Sequence, residues 1–223
     1  MLKGFLQFFK KPALIDQAEK IATDMLNIAY NMFQYSMRVV IEKEKEKEDI
    51  YKLDRKLNEL EIKVRRDIIE HLSVNPTQDI IPSLILTTIV IDIERIGDYS
   101  KNLIELSHKY PEPLKGEYIE KIKNLEGKVQ YNFKKVIEAC NKEDEELGKK
   151  VMDELTKVSK ECQILLELMV DDKSLSSKEG IIYALLLRYL KRVSAHSKNV
   201  ASSVVNPFQR LGYRYISSAN RRG

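Results

Sequence analysis

Two segments of this 223-residue chain carry one pattern, and that repetition limits the fold more than any other feature. The first, Ile80 to Leu103, reads IIPSLILTTIVIDIERIGDYSKNL. It is apolar on nearly every side up to Ile91, then turns polar at Asp92, Glu94, Arg95, Asp98 and Asn102. The second, Ile181 to Val200, reads IIYALLLRYLKRVSAHSKNV. Laid against ERIGDYSKNL (Glu94 to Leu103), its end KRVSAHSKNV (Lys191 to Val200) shares the arginine, a β-branched residue, Ser-Lys-Asn and a final apolar residue. A match of this length at the ends of two apolar segments marks an internal duplication. A helix apolar all round belongs inside a core, with other elements packed on every face.

The remaining elements read as long amphipathic helices. Ile21, Met25, Ile28, Met32, Tyr35 and Val39 alternate spacings of four and three, a heptad seam. That helix runs from Ala13 toward the charged stretch EKEKEKED (Glu42 to Asp49), a solvated end or connection. A second seam is Ile50, Leu53, Leu57, Leu60, Val64 and Ile68, edged by a polar stripe of Asp54, Asn58, Glu61 and Arg65. Pro76 ends that helix, and Thr77–Asp79 cap the next, with Pro82 in its first turn. Pro111-Glu112-Pro113 separates the halves. Helices over Leu114–Cys140, Asp144–Val170 and Lys178–Val205 repeat the plan, and Pro207 ends the last. Nothing alternates with period two over a useful length. The prediction is an all-α chain of two tandem three-helix bundles related by an internal repeat. Its divisions are an amphipathic segment 1–12, a first bundle 13–111, a second bundle 112–208 and a basic tail 209–223.

Composition narrows the class. With 32% charged residues and few Gly or Pro, the chain has a long-helix composition. Two cysteines, Cys140 and Cys162, are too few for a disulfide framework and read as buried thiols of a reducing, cytoplasmic compartment. A net charge of +4 does not point to nucleic acid. No segment is long and apolar enough to span a membrane. The basic, aromatic-rich ends (Phe5, Phe8, Phe9; Arg210, Arg214, Arg221, Arg222) suit membrane-peripheral or subunit contacts rather than the bundle cores.

The best chemical signal lies in the first motif helix. Glu94, Asp98 and Asn102 fall at i, i+4 and i+8, a single acidic stripe. Asp54 and Glu61 on the neighbouring helix complete a set of four hard oxygen ligands. Such a set suits Mg, Ca, Mn or Fe better than a structural zinc site, with the identity open among Fe, Mn, Mg, Ca and Zn. The plain alternative is a solvated acidic face with an Asp92–Arg95 ion pair. Gly97, inside the stripe, suggests close approach by another group. The second copy has Lys191, Ser194 and Ala195 where the first has Glu94, Gly97 and Asp98, so a metal is expected in the first bundle only. Glu105-x-x-His108 is half of a di-iron carboxylate motif, but it has no second copy, which disfavours a di-iron enzyme. His196 replaces Tyr99 and reads as interfacial. No Gly-rich phosphate loop, nucleophile elbow or Cys/His cluster is present, so no catalytic residues are assigned.

The segments DIERIGDYSKNL and RYLKRVSAHSKNVASSVVNPF resemble the two motif helices of the PhoU family of phosphate-uptake regulators. The resemblance covers nearly the whole chain, and its most specific element is the E-R-I-G-D box, Glu94 to Asp98, followed by Asn102. It implies tandem three-helix bundles, metal binding through acidic boxes and frequent dimers. It also implies contact with a phosphate ABC transporter and a sensor histidine kinase. The chain departs from the family pattern at Lys191 and Ala195, and at Pro82, where an arginine is usual. The reading is a non-enzymatic accessory regulator. The rival is a metal-binding helical accessory protein of another transporter or channel.

Overall fold

A computed structural model of the chain describes residues 14–216. Six long helices follow in order: α1 (Leu14–Met37), α2 (Ile50–Val74), α3 (Ile80–Lys109), α4 (Glu117–Lys142), α5 (Glu145–Asp171) and α6 (Ser177–Val205). A π-helical turn, Arg38–Glu42, continues α1, and a 3-10 turn, Phe208–Arg210, follows α6. Among the described residues there is no strand.

Helices α1, α2 and α3 pack on one another, as do α4, α5 and α6, giving two tandem three-helix bundles. The seams account for this. Met25, Met32, Leu57, Val64, Val129, Phe133, Leu155 and Cys162 are all buried at heptad positions. The motif helices α3 and α6 pack against each other and join the halves, with a smaller contact between α1 and α4. In that smaller contact the Tyr30 and Phe133 rings meet edge to face at 5.3 Å, and Gln34 Nε2 donates to Gln130 Oε1 at 3.1 Å.

Local chemistry sets the ends. Asp49 and Asp144 cap α2 and α5 by accepting from Lys52 N (3.0 Å) and Leu147 N (2.9 Å). Ser176 caps α6: its Oγ accepts from Glu179 N at 3.3 Å and donates to the Glu179 carboxylate. Asp79 departs from the expected cap. It adopts left-handed backbone (φ 56) and caps nothing; its carboxylate instead lies 3.1 Å from Nε2 of buried His71. Helix α4 begins three residues later than the sequence suggests, because Gly116 at φ 97 turns the chain while Leu114 is already buried.

Two expectations need correction, and one local feature is new. Helix α3 is not enclosed on every face: Ile81, Leu84 and Ile91 are exposed along one side. The motif helix serves as a shared wall, covered by α1, α2 and α6 but open beyond them. The π turn was not anticipated either. There Val39, Val40 and Ile41 are all buried in succession, and the wider turn directs consecutive side chains inward where α3 packs on it. The basic tail is not free of the bundle as far as Ile216. Tyr215 packs against the core, and its hydroxyl donates to Asp153 Oδ2 at 2.7 Å. The amphipathic segment 1–12, with Arg221 and Arg222, lies outside the described residues.

Candidate functional site

The four carboxylates singled out in the sequence share one face between α2 and α3. Asp54 and Glu61 come from α2, Glu94 and Asp98 from α3. All four are mostly covered, with 12%, 13%, 15% and 26% of their side-chain surfaces exposed. Burial raises the Glu94 pKa above its ordinary 4.5 and the Asp98 charge raises it further; Arg95 opposes them, and Glu61 and Asp54 add smaller upward effects.

A residue that sequence reasoning passed over sits in the middle. Lys101 Nζ donates to Asp54 Oδ2 at 2.9 Å and to Asp98 Oδ1 at 3.0 Å, tying α2 to α3. Burial alone would lower the Lys101 pKa, but these two bonds more than reverse it, and the ammonium titrates above 10.5. Around it, Arg95 Nη1 bonds Asp98 Oδ2 at 3.0 Å, Arg95 Nε lies 3.7 Å from Glu94 Oε2, and Arg65 Nη2 lies 2.6 Å from Glu61 Oε1. The spacing could have revealed this, since Lys101 lies at i+3 from Asp98 on the acidic stripe. Arg95 pairs with Asp98 and Glu94, and not with Asp92 as the plain reading of the face had it.

The four carboxylates are ligands of the type that suits a hard cation, and the Glu94 pKa is raised chiefly by burial and then by the Asp98 charge. With Lys101 in place, however, the cation between Asp54 and Asp98 is an ammonium. Among the described residues no three His, Cys, Asp or Glu side chains are arranged to hold a metal ion. Glu94, Asp98, Asp54 and Glu61 would hold one only once Lys101, Arg95 and Arg65 had released them.

Gly97 meets the close approach expected of it. A Cβ there would lie 2.4 Å from Leu57 Cδ1, so the glycine lets α2 settle against α3. On the opposite side of α3, Asp92 Oδ1 accepts from His196 Nδ1 at 2.7 Å and from Asn199 Nδ2 at 3.0 Å, both on α6. The His196 ring stacks on Tyr99 at 5.7 Å, which makes it interfacial. Glu105 and His108 do not act together: Glu105 accepts from Tyr51, and exposed His108 faces Glu46. Burial pushes the thiols of Cys140 and Cys162 up to about 12, well outside the reactive range.

In the second half Lys191 Nζ donates to Gln163 Oε1 at 2.8 Å, and Lys191 and Ala195 stand where the first half has Glu94 and Asp98. One half of a duplicated fold thus keeps an acidic box and the other has lost it. The PhoU domain family model matches residues 22–107 and 122–204, one match per bundle. The chain belongs to the PhoU family. It is 26% identical over 121 residues to the phosphate-specific transport system accessory protein PhoU homolog 1 of Thermotoga maritima. That alignment covers 51% of each chain, so this chain spans about half the length of that relative. Its fold is similar to PhoU of Streptococcus pneumoniae (TM-score 0.73, 12% identity, 85% of this chain and 92% of that one). It is also similar to PhoU of Pseudomonas aeruginosa (TM-score 0.65, 18% identity, 92% and 97%).

Proposed function

We propose that this PhoU-family chain is an accessory regulator of phosphate transport or phosphate signalling, without catalysis of its own. It would restrain its target by docking from the cytoplasmic side on a phosphate transporter or its sensor kinase. The observation that carries the reading is the acidic face of α2 and α3, where Lys101 bridges Asp54 and Asp98 while Glu61 and Glu94 lie beside them against Arg65 and Arg95. The name of the Thermotoga relative supports the transport process, and among the described residues no helix is long and apolar enough to cross a membrane.

The mechanism is an exchange. With Lys101 between Asp54 and Asp98, the face is closed on itself. A divalent or trivalent ion held by Glu94, Asp98, Asp54 and Glu61 would release the ammonium outward and present a new charge pattern to a partner. The second half has no counterpart, so such docking is one-sided in each chain, and a homodimer would supply two faces. The test is phosphate uptake in cells lacking the gene, restored with the parent chain or with E94A/D98A. The parent should bring uptake back under control and co-purify with a phosphate transporter subunit or the kinase. The variant should do neither. Equal restoration by both would refute the reading, and co-purification with an unrelated transporter would move it to that target.

A further inference from the structure

In the first half Lys101 is neutralised by Asp54 and Asp98. Its repeat counterpart is Lys198, and the counterpart of Asp98 is Ala195, so Lys198 has lost the partner that the duplicated design supplies. Lys198 lines a cleft of about 390 Å³ on the α5–α6 face, together with Lys157, Lys160 and Arg214. Lys157 is held by Glu154 at 2.7 Å. Among the described residues, Lys160, Lys198 and Arg214 form no salt bridge, whereas Lys149, also on α5, is held by Glu145 and Glu146. One carboxylate, Asp153, also lines the cleft, and its Oδ2 accepts the Tyr215 hydroxyl at 2.7 Å. Neither stretch outside the described residues, 1–13 or 217–223, contains an Asp or Glu that could add a carboxylate.

The wall carrying Arg214 is built into the fold. After α6 the chain turns back, and Asn206 Nδ2 donates to Tyr213 O at 2.8 Å. Gly212, at φ +77, donates its N–H to Ser202 Oγ at 2.7 Å, and Arg210 Nη2 donates to Arg214 O at 3.0 Å. Positive groups therefore line one concavity from α5 (Lys160), α6 (Lys198) and this strap (Arg214), where the first half gathers negative ones.

We propose that the cleft is a binding site for a phosphate-class oxyanion, either free inorganic phosphate or a phosphomonoester headgroup. Arginine offers a planar fork and lysine a compact point charge, and both are standard phosphate partners. Donors arriving from three elements match a tetrahedral anion, with oxygens in all directions, better than a planar carboxylate with two. A doubly charged anion also compensates the three unpaired cations more fully. The inference rests on the charge and geometry of this cleft and not on the transport reading; a chain that regulated something else would bind the same anion.

The experiment uses the full chain. Its melting temperature and heat of binding are followed with added inorganic phosphate, against sodium chloride at equal ionic strength, which controls for screening. Capture by phosphatidylcholine vesicles with and without phosphatidic acid is measured in parallel. The parent should bind phosphate saturably at one site and melt higher as phosphate rises. K160E/K198E should lose at least about tenfold in affinity (about 1.4 kcal/mol), and K123E, at a lysine paired with Glu120, should not. K160Q/K198Q, which removes charge without reversing it, serves if the reversed variant does not fold. Capture only by phosphatidic acid vesicles, lost in the same variants, supports the site and assigns its ligand to a headgroup. Absence of both responses, or responses unchanged in the Lys160 and Lys198 variants, overturns the proposal.

Discussion

Asp92 and His196 join the two halves through a 2.7 Å contact between Oδ1 and Nδ1, with Asn199 donating to the same oxygen. The repeat maps Asp92 onto Tyr189 and His196 onto Tyr99. That second pair meets as well, with ring centroids 5.9 Å apart. The motif helices therefore cross with internal pseudo-symmetry, a polar pair on one side of the crossing and an aromatic pair on the other.

Removing the Asp92 carboxylate leaves two partly buried donors without their acceptor. D92A is expected to cost about 1–3 kcal/mol in denaturant unfolding. Because Asp92 and His196 touch, D92A, H196A and the double variant should depart from additivity by at least about 0.5 kcal/mol. Additive losses would show that the contact does not couple the halves.

Gly97 tests the packing of α2 on α3. An added methyl would overlap Leu57 Cδ1, and Leu57 is 1% exposed with little room to withdraw. Overpacking of about 1–3 kcal/mol outweighs the gain in helix propensity of about 1 kcal/mol. G97A should therefore lose about 1 kcal/mol net. A G97A variant that melts higher than the parent would contradict this packing.

Glu94 gives the face a pH signature. Its folded pKa lies above the ordinary 4.5, chiefly because of burial and then because of Asp98. The folded chain keeps that proton to higher pH than the unfolded chain does. The resulting penalty is absent below pH 4.5 and grows as pH rises through the folded pKa. E94Q should then be more stable than the parent at pH 7 by about 0.2–0.5 kcal/mol, with the difference vanishing below pH 4.5. Lys101 works at the other end of the scale. Its raised pKa means that its stabilisation is full below pH 10.5 and fades as pH rises through the folded value. A parent and E94Q with parallel pH–stability curves would refute the assignment.

The fold was legible because its signals are periodic. Seam residues such as Met25, Leu57 and Phe133 occupy heptad positions, and a duplicated motif requires duplicated packing. The acidic face was legible residue by residue, since Glu94 and Asp98 lie one turn apart and Asp54 and Glu61 edge a seam. Its centre was not. Identifying Lys101 as the bridging cation requires knowing that α2 lies beside α3 at the right depth, which is a tertiary fact. The same holds for Asp92, whose partners lie more than a hundred residues away on α6. The strap after α6 is not legible because its basic composition suggests an exposed tail, whereas it is tied down by one hydrogen bond from Asn206 and one each to Ser202 and Asp153, which leave no pattern in the sequence.

In the proposed exchange, a metal ion replaces Lys101 between Asp54 and Asp98, and the second bundle, with Lys191 and Ala195 at the matching positions, offers no such site. Metal content per chain after equilibration with manganese(II), measured by elemental mass spectrometry, tests it most directly. The parent should take up metal at the first bundle. K101A, which lacks the resident ammonium, should bind more tightly, and E94A/D98A should bind none. Undiminished metal in E94A/D98A, or metal located beside Lys191, would contradict the account.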